Sequence, residues 1–300
     1  MRKYLYLFTM VPLLAFSQNS ATITSGNSKL HFRAFGSGKP LLVINGGPGM
    51  NSDGFTFIAE ELSKRNKCQT ITFDQRGTGQ SALEDTNAEA ITMDLMVQDM
   101  ENLRTHLKIE TWTILGHSFG GILATYYASK HPEHVEKLIM SSSGGINMKF
   151  VSYLSKRVNA NMTKVQRDSF AYFQNKRDNG DLSLQTLKNR AKYLANAYVF
   201  DKSKAPIIAA RLIQINYDVN NLVIQNLHQI GYDASQDFSD FKQPVLVLQG
   251  KNDIITVATA QEIAASFPNS KLITMENCGH YGWLDAPDVY FNAIKSFLNS

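Results

Sequence analysis

The feature that most limits what this 300-residue chain can fold into is a repeated switch of hydrophobic period. Short strand-like stretches, uninterruptedly apolar at residues 41–44 and including threonines at 70–73 and 112–115, with a further one at 138–140, alternate with longer segments whose apolar residues recur at helical spacing. A run of that length suits a strand buried on both faces, and such strands belong to parallel sheets covered by helices on each side. The intervening helices are expected over 55–64, 91–107 and 119–130, the last stopping before His131-Pro132. In the second of these, Ile91, Leu95, Met100, Leu103 and Leu107 form one apolar face. Two further strands, at 22–24 and 30–35, precede the series. The pattern predicts an α/β architecture with a mostly parallel central sheet and helices on both faces.

Between residues 146 and 243 the alternation stops. Leu184, Leu187, Tyr193, Leu194 and Tyr198 keep helical spacing there, and no buried-strand run occurs. Alternation resumes with a strand at 245–249, a helix at 258–267, a strand at 271–275 and a last helix at 287–298. The expected organisation is therefore a leader at 1–17, a core at 18–145 and 244–300, and a helical cap at 146–243 inserted into that core.

The leader rests on Arg2 and Lys3 followed by an apolar run at 4–16 that is too short to span a bilayer. Ala15 and Ser17 flank Phe16 as small residues, so a signal peptide cleaved between Ser17 and Gln18 is expected, with an uncleaved interfacial anchor as the alternative. Such a leader predicts a secreted or periplasmic protein and does not separate the two. Thirty basic against 26 acidic residues leave a net charge of +4, too small an excess to call for nucleic acid or membrane lipid as a partner. Neither is expected, nor is stable membrane insertion; the expected partner is a small-molecule or short-peptide substrate, and the oligomeric state is not legible. Cys68 and Cys278 fall at opposite ends of a parallel sheet, which predicts two unpaired, buried thiols. No Cys/His/Asp cluster has ligand spacing, so no metal is expected.

Gly116-His117-Ser118-Phe119-Gly120 fits G-x-S-x-G and lies between an expected strand and an expected helix, where that pattern makes a sharp turn that exposes the serine hydroxyl. A serine hydroxyl is a weak nucleophile and needs a base, itself oriented by a carboxylate. Asp253 follows the strand at 245–249 and His280 follows the strand at 271–275, so both fall on loops past strand ends. Ser118 as nucleophile, His280 as base and Asp253 as orienting acid are the catalytic candidates. Their alternatives are a helix cap for Asp253 and a surface role for His280. Acyl transfer also needs donors for the oxyanion, and the amides of Phe119 and of Gly47, in Gly46-Gly47-Pro48-Gly49, are the candidates, a plain turn being the alternative for the latter. His117 is expected to pack beside the serine, and Asp74 to tie down its own loop.

Asn45-Gly46-Gly47-Pro48-Gly49, Asp74-Gln75-Arg76-Gly77-Thr78-Gly79-Gln80-Ser81, the Ser118 turn and Gly279-His280 together resemble the proline iminopeptidase-like branch of the α/β-hydrolase fold. The likeness spans most of the core and not the cap. It implies an exopeptidase or arylamidase that removes an N-terminal residue, often proline, through a Ser-His-Asp triad without a cofactor. It also implies acidic cap residues, often glutamates, that hold the substrate's free amine. Residues 146–243 contain no glutamate; Asp168, Asp178, Asp181, Asp201, Asp218, Asp233, Asp237 and Asp240 are the acids available. The same triad serves a carboxylesterase or lactonase on small apolar esters, and a non-catalytic ligand-binding descendant is the remote third reading. Aromatic cap residues, among them Phe150, Tyr153, Phe170, Tyr172, Phe173, Tyr193 and Tyr198, are expected to supply part of an apolar pocket.

Overall fold

A computed structural model describes residues 18–300; the leader expected at 1–17 lies outside the described residues. The chain opens with an antiparallel hairpin, β1 (Gln18–Ser25) and β2 (Ser28–Phe35). It continues through β3 (Pro40–Ile44), α1 (Thr56–Asn66), β4 (Gln69–Phe73), α2 (Met93–His106), β5 (Trp112–His117), α3 (Phe119–Lys130) and β6 (Val135–Ser141). Five helices without a named strand follow: α4 (Val151–Ala160), α5 (Lys164–Asp178), α6 (Leu184–Leu194), α7 (Ala205–Leu212) and α8 (Tyr217–Gln229). The core then resumes with β7 (Val245–Gly250), α9 (Val257–Ser266), β8 (Ser270–Met275), α10 (Gly282–Asp285) and α11 (Pro287–Leu298). No helix among the described residues is long and apolar enough to cross a membrane.

The eight strands form one sheet in the order β1-β2-β4-β3-β5-β6-β7-β8, antiparallel at β1/β2 and β2/β4 and parallel from β4 to β8. Alternate residues of each central strand enter opposite cores, as the two-residue period of a strand requires. Leu42, Ile44, Ile114, Val245 and Val247 pack on one face with Met96, Met100 and Leu103 of α2 and Leu123 and Tyr127 of α3. Leu41, Val43, Leu115, Leu246 and Leu248 pack on the other with Ile58 and Leu62 of α1 and Tyr290 and Ile294 of α11. Each such side chain, taken from water, contributes roughly 1.5–3 kcal/mol, so both layers of helices are needed to satisfy the short apolar runs. Cys68 and Cys278 are buried and unpaired.

Several elements differ in extent from the hydrophobic pattern, and in β1, β6 and α2 the difference comes from polar residues taking part. β1 begins at Gln18, since an edge strand paired on one side carries Asn19, Ser20 and Thr22 without burying them. β6 begins at Val135 and so includes Glu136 and Lys137; the Lys137 Nζ donates to the carbonyls of Phe297 and Ser300, both at 2.8 Å, which ties the chain end to the sheet. α2 begins at Met93 because the Thr92 hydroxyl accepts the Leu95 amide and caps the helix.

Candidate active site

The chain leaves β3 for β4 on one side and later places β5 on the other, so the winding reverses between β3 and β5. In an open parallel sheet the crevice at the carboxyl ends of the strands flanking that reversal is where ligands bind. Ser118 stands there, directly after β5 and before α3, with φ 55° and ψ −120°. A non-glycine residue in that region carries strain of about 1–3 kcal/mol and persists only where its surroundings hold it. Here the Ser118 amide donates to the Ser141 carbonyl at 3.0 Å, and its own carbonyl accepts from Gly121 and Gly144, each at 3.0 Å. Position 120 must be glycine because a Cβ would lie 2.2 Å from the Ile44 carbonyl oxygen, where α3 crosses β3.

Asp253 and His280 meet although they are separated in sequence. His280 Nδ1 and Asp253 Oδ1 are 2.8 Å apart, and the two residues are 2% and 0% exposed. The same Oδ1 accepts the Ile255 amide at 3.0 Å, while Oδ2 accepts Gln249 Nε2 at 2.8 Å, so three donors fix the carboxylate. Cap residues hold the backbone of both loops. Arg157 Nη2 donates to the Asp253 carbonyl at 2.7 Å, and the His280 amide donates to the Tyr198 carbonyl at 2.7 Å. Asp285 joins them by accepting from the amides of Gly279 and Phe200, both at 2.8 Å.

Ser118 and His280 line one cavity of about 360 Å³ between core and cap, and Gly47 and Phe119 line it too. The loop at 45–49 abuts Ser118: a Cβ built on Gly46 would stand 2.5 Å from Ser118 Cβ. Gly47 has φ 72°, a turn that a side chain would resist. Asn45 staples this loop through Nδ2 to the Met50 carbonyl at 3.0 Å, and the cap fastens it from above. Arg211 Nη2 donates to the Gly46 carbonyl at 2.7 Å, Asn220 Nδ2 to the Pro48 carbonyl at 2.8 Å, and the Asn216 amide to the Gly49 carbonyl at 2.7 Å. Sequence spacing gives no sign of Arg157, Arg211, Asn216, Asn220 or Asp285, whose partners lie far along the chain.

His117 is fully buried with its ring 4.7 Å from that of His280 and edge-on to Trp283 at 4.8 Å. Burial, with the nearby His280 and Arg211, pushes its pKa well below the usual histidine range, so it is uncharged at neutral pH. Asp74 ties down its loop as expected, accepting the Ser52 amide at 2.9 Å, the Ser52 hydroxyl at 2.7 Å and the Gln80 amide at 2.9 Å.

The cavity wall is mostly apolar, with Met50, Leu154, Leu194, Leu212 and Ile224 among its residues. Of the seven cap aromatics named above, Phe150 and Tyr198 reach it. None of the eight cap aspartates does. Its charged side chains are Arg190 and Arg211, and no aspartate or glutamate lines it. One cluster that sequence spacing did not single out, Glu101, His131 and His134, brings three possible metal-ligand atoms within 4.8 Å. Its carboxylate is already engaged by Arg104, at 2.8 Å through both Nε and Nη2, and by the Tyr127 hydroxyl at 2.5 Å, so the donor set fits a metal poorly. It sits at the end of α3 remote from Ser118.

Residues 39–287 match the family model described as alpha/beta hydrolase fold. A proline iminopeptidase of Lactobacillus helveticus (strain DPC 4571) is 26% identical over 270 residues, covering 87% of this chain and 90% of that protein. Another, from Lactobacillus delbrueckii subsp. bulgaricus, is 28% identical over 275 residues, with 87% and 90% covered. Among solved structures, an alpha/beta fold family hydrolase from Bacillus anthracis str. Sterne has a TM-score of 0.76 at 20% identity, covering 93% of this chain and 99% of that one.

Proposed function

We propose that this chain, which belongs to the α/β-hydrolase fold family, is a serine hydrolase that cleaves a carboxylic ester or amide through an acyl-enzyme on Ser118. The observation that carries the reading is the strained Ser118 on the wall of the cavity that also receives the His280 imidazole, itself bonded to Asp253 at 2.8 Å. In the first half-reaction His280 Nε2 takes the Ser118 proton as Oγ bonds to the substrate's carbonyl carbon. The electron pair displaced onto the carbonyl oxygen is met by the amides of Gly47 and Phe119, aided by the N-terminus of α3. Collapse of that intermediate expels the leaving group, which takes the proton from His280. Water, deprotonated by the same imidazole, then attacks the acyl-enzyme, and the imidazolium returns that proton to Ser118 Oγ as its bond to the acyl carbon breaks and the acid is released. Asp253 stays ionised, holding the Nδ1 proton and stabilising the imidazolium.

Of the two substrate classes expected from the sequence, the cavity favours the carboxylic ester. Recognition of a free amine needs a carboxylate near the reacting carbonyl, and the wall offers two guanidinium groups and no acid. The aminopeptidase reading is favoured by a different observation, the proline iminopeptidases among the relatives. Comparing a short-chain aryl ester with proline arylamide separates them. The ester is expected to have kcat/KM about 10⁴-fold higher or more, the scale on which a buried group left unpaired discriminates between substrates. Preferred cleavage of the arylamide, abolished when its amine is acetylated, contradicts the ester reading and supports the aminopeptidase.

A further inference from the structure

Arg211, on α7, is 6% exposed, yet no carboxylate lies within ion-pair distance of it among the described residues. Its hydrogen bonds go to neutral acceptors, the Gly46 carbonyl at 2.7 Å and the Tyr281 hydroxyl at 3.1 Å, and its Nε has no acceptor. The Phe55 ring 4.8 Å from its guanidinium offsets part of the charge. Arg190, on α6, is half-buried and likewise donates to neutral groups, Nε to Gln174 Oε1 at 2.5 Å and Nη1 to the Tyr217 hydroxyl at 2.9 Å. Asp178, which attracts Arg190 without pairing with it, is engaged by Arg177 and by Gln174 Nε2. Burial, reinforced by the neighbouring Arg177 charge, lowers the pKa of Arg190 despite the opposing pull of Asp178.

Buried charges are normally paired, because leaving water costs several kcal/mol per ion. Two arginines on separate cap helices that both face one cavity, each supplied with neutral acceptors only, leave positive charge to be met by whatever enters. A guanidinium matches the planar fork of a carboxylate through two parallel hydrogen bonds, and an apolar wall strengthens the pairing. Resting on the serine-hydrolase reading, we infer that the substrate's acyl part carries its own carboxylate, held under the cap by Arg190 and Arg211, so that the preferred substrates are monoesters or monoamides of dicarboxylic acids. Arg211 also positions the oxyanion loop through Gly46, which makes Arg190 the residue at which anion selection can be varied separately.

The test pairs kinetics with binding. Aryl hexanoate, the monoaryl ester of adipate and aryl 6-aminohexanoate present one chain length with neutral, anionic and cationic ends. The adipate monoester is expected to exceed the hexanoate in kcat/KM by about tenfold or more, the worth of one charge-assisted hydrogen bond, and the aminohexanoate to fall below both. Arg190→Met brings the anionic-to-neutral ratio towards one, and Arg190→Lys restores part of it, a recovery that a purely structural role for the side chain does not give. A ratio near one in the unsubstituted protein, or equal losses on both esters in Arg190→Met, overturns the inference while leaving the hydrolase reading intact. If neither an ester nor an amide is turned over, that reading fails, and calorimetry with ω-carboxy amides of about four to six carbons still decides this one. Binding about tenfold tighter than the matched neutral amides supports it, and equal binding overturns it.

Discussion

Replacing Asp253 with asparagine is expected to lower kcat by about 10⁴ while the protein remains folded. The carboxylate is fully buried and makes its 2.8 Å contact with His280 Nδ1; since a carboxylate only accepts, that nitrogen carries the proton and Nε2 is left free to take one. Asparagine preserves volume and still accepts through one oxygen, from either the Ile255 amide or Gln249 Nε2, which keeps the loop after β7 in place. Its amide nitrogen can instead donate to Nδ1, which favours the opposite tautomer and puts a proton where the base must be empty. The loss should appear in kcat rather than KM, with circular dichroism unchanged. A loss of tenfold or less means that His280 does not depend on Asp253 for its tautomer.

Ser118→Ala is expected to have the larger effect, about 10⁵–10⁶ in kcat/KM, because the acyl-enzyme cannot form and only the oxyanion donors and substrate binding remain. The hydroxyl caps no helix, and the hydrogen bonds that hold the turn come from the Ser118 backbone. Alanine at φ 55° retains the strain that serine already bears, so the urea midpoint should move little. Residual activity above about 1% of the unsubstituted chain places the nucleophile elsewhere. Ser118→Ala combined with Asp253→Asn should be no worse than Ser118→Ala alone, since residues that act as one unit are not additive.

The parts of this site that are legible in the sequence are those whose constraint is local. Ser118 announces itself because a turn that close to β3 demands glycine at 120, and the strand and helix on either side are readable from their period. Asp253 and His280 follow from chain order, since each lies just past a strand that the pattern already marks. The Gly47 loop shows its turn but not its fastening. That fastening comes from Arg211, 165 positions away, and from Asn216 and Asn220, and no period or spacing links such residues before the chain has folded. The cap was legible as helical because its apolar residues repeat, yet which of them face the cavity depends on how its helices settle on the core. Phe150 and Tyr198 do, and Tyr153, Phe170, Tyr172, Phe173 and Tyr193 do not. Arginines on an amphipathic helix read as solvated surface, so a cavity whose only full charges are positive emerged from tertiary packing alone.

The most direct measurement is to treat the protein with a fluorophosphonate, digest it and locate the phosphonyl group by mass spectrometry. A single adduct on Ser118, slowed by about 10³ or more in His280→Ala, is the outcome that the geometry requires. An adduct on any other residue, or labelling of Ser118 that is indifferent to His280, contradicts the claim that this serine and this imidazole work together.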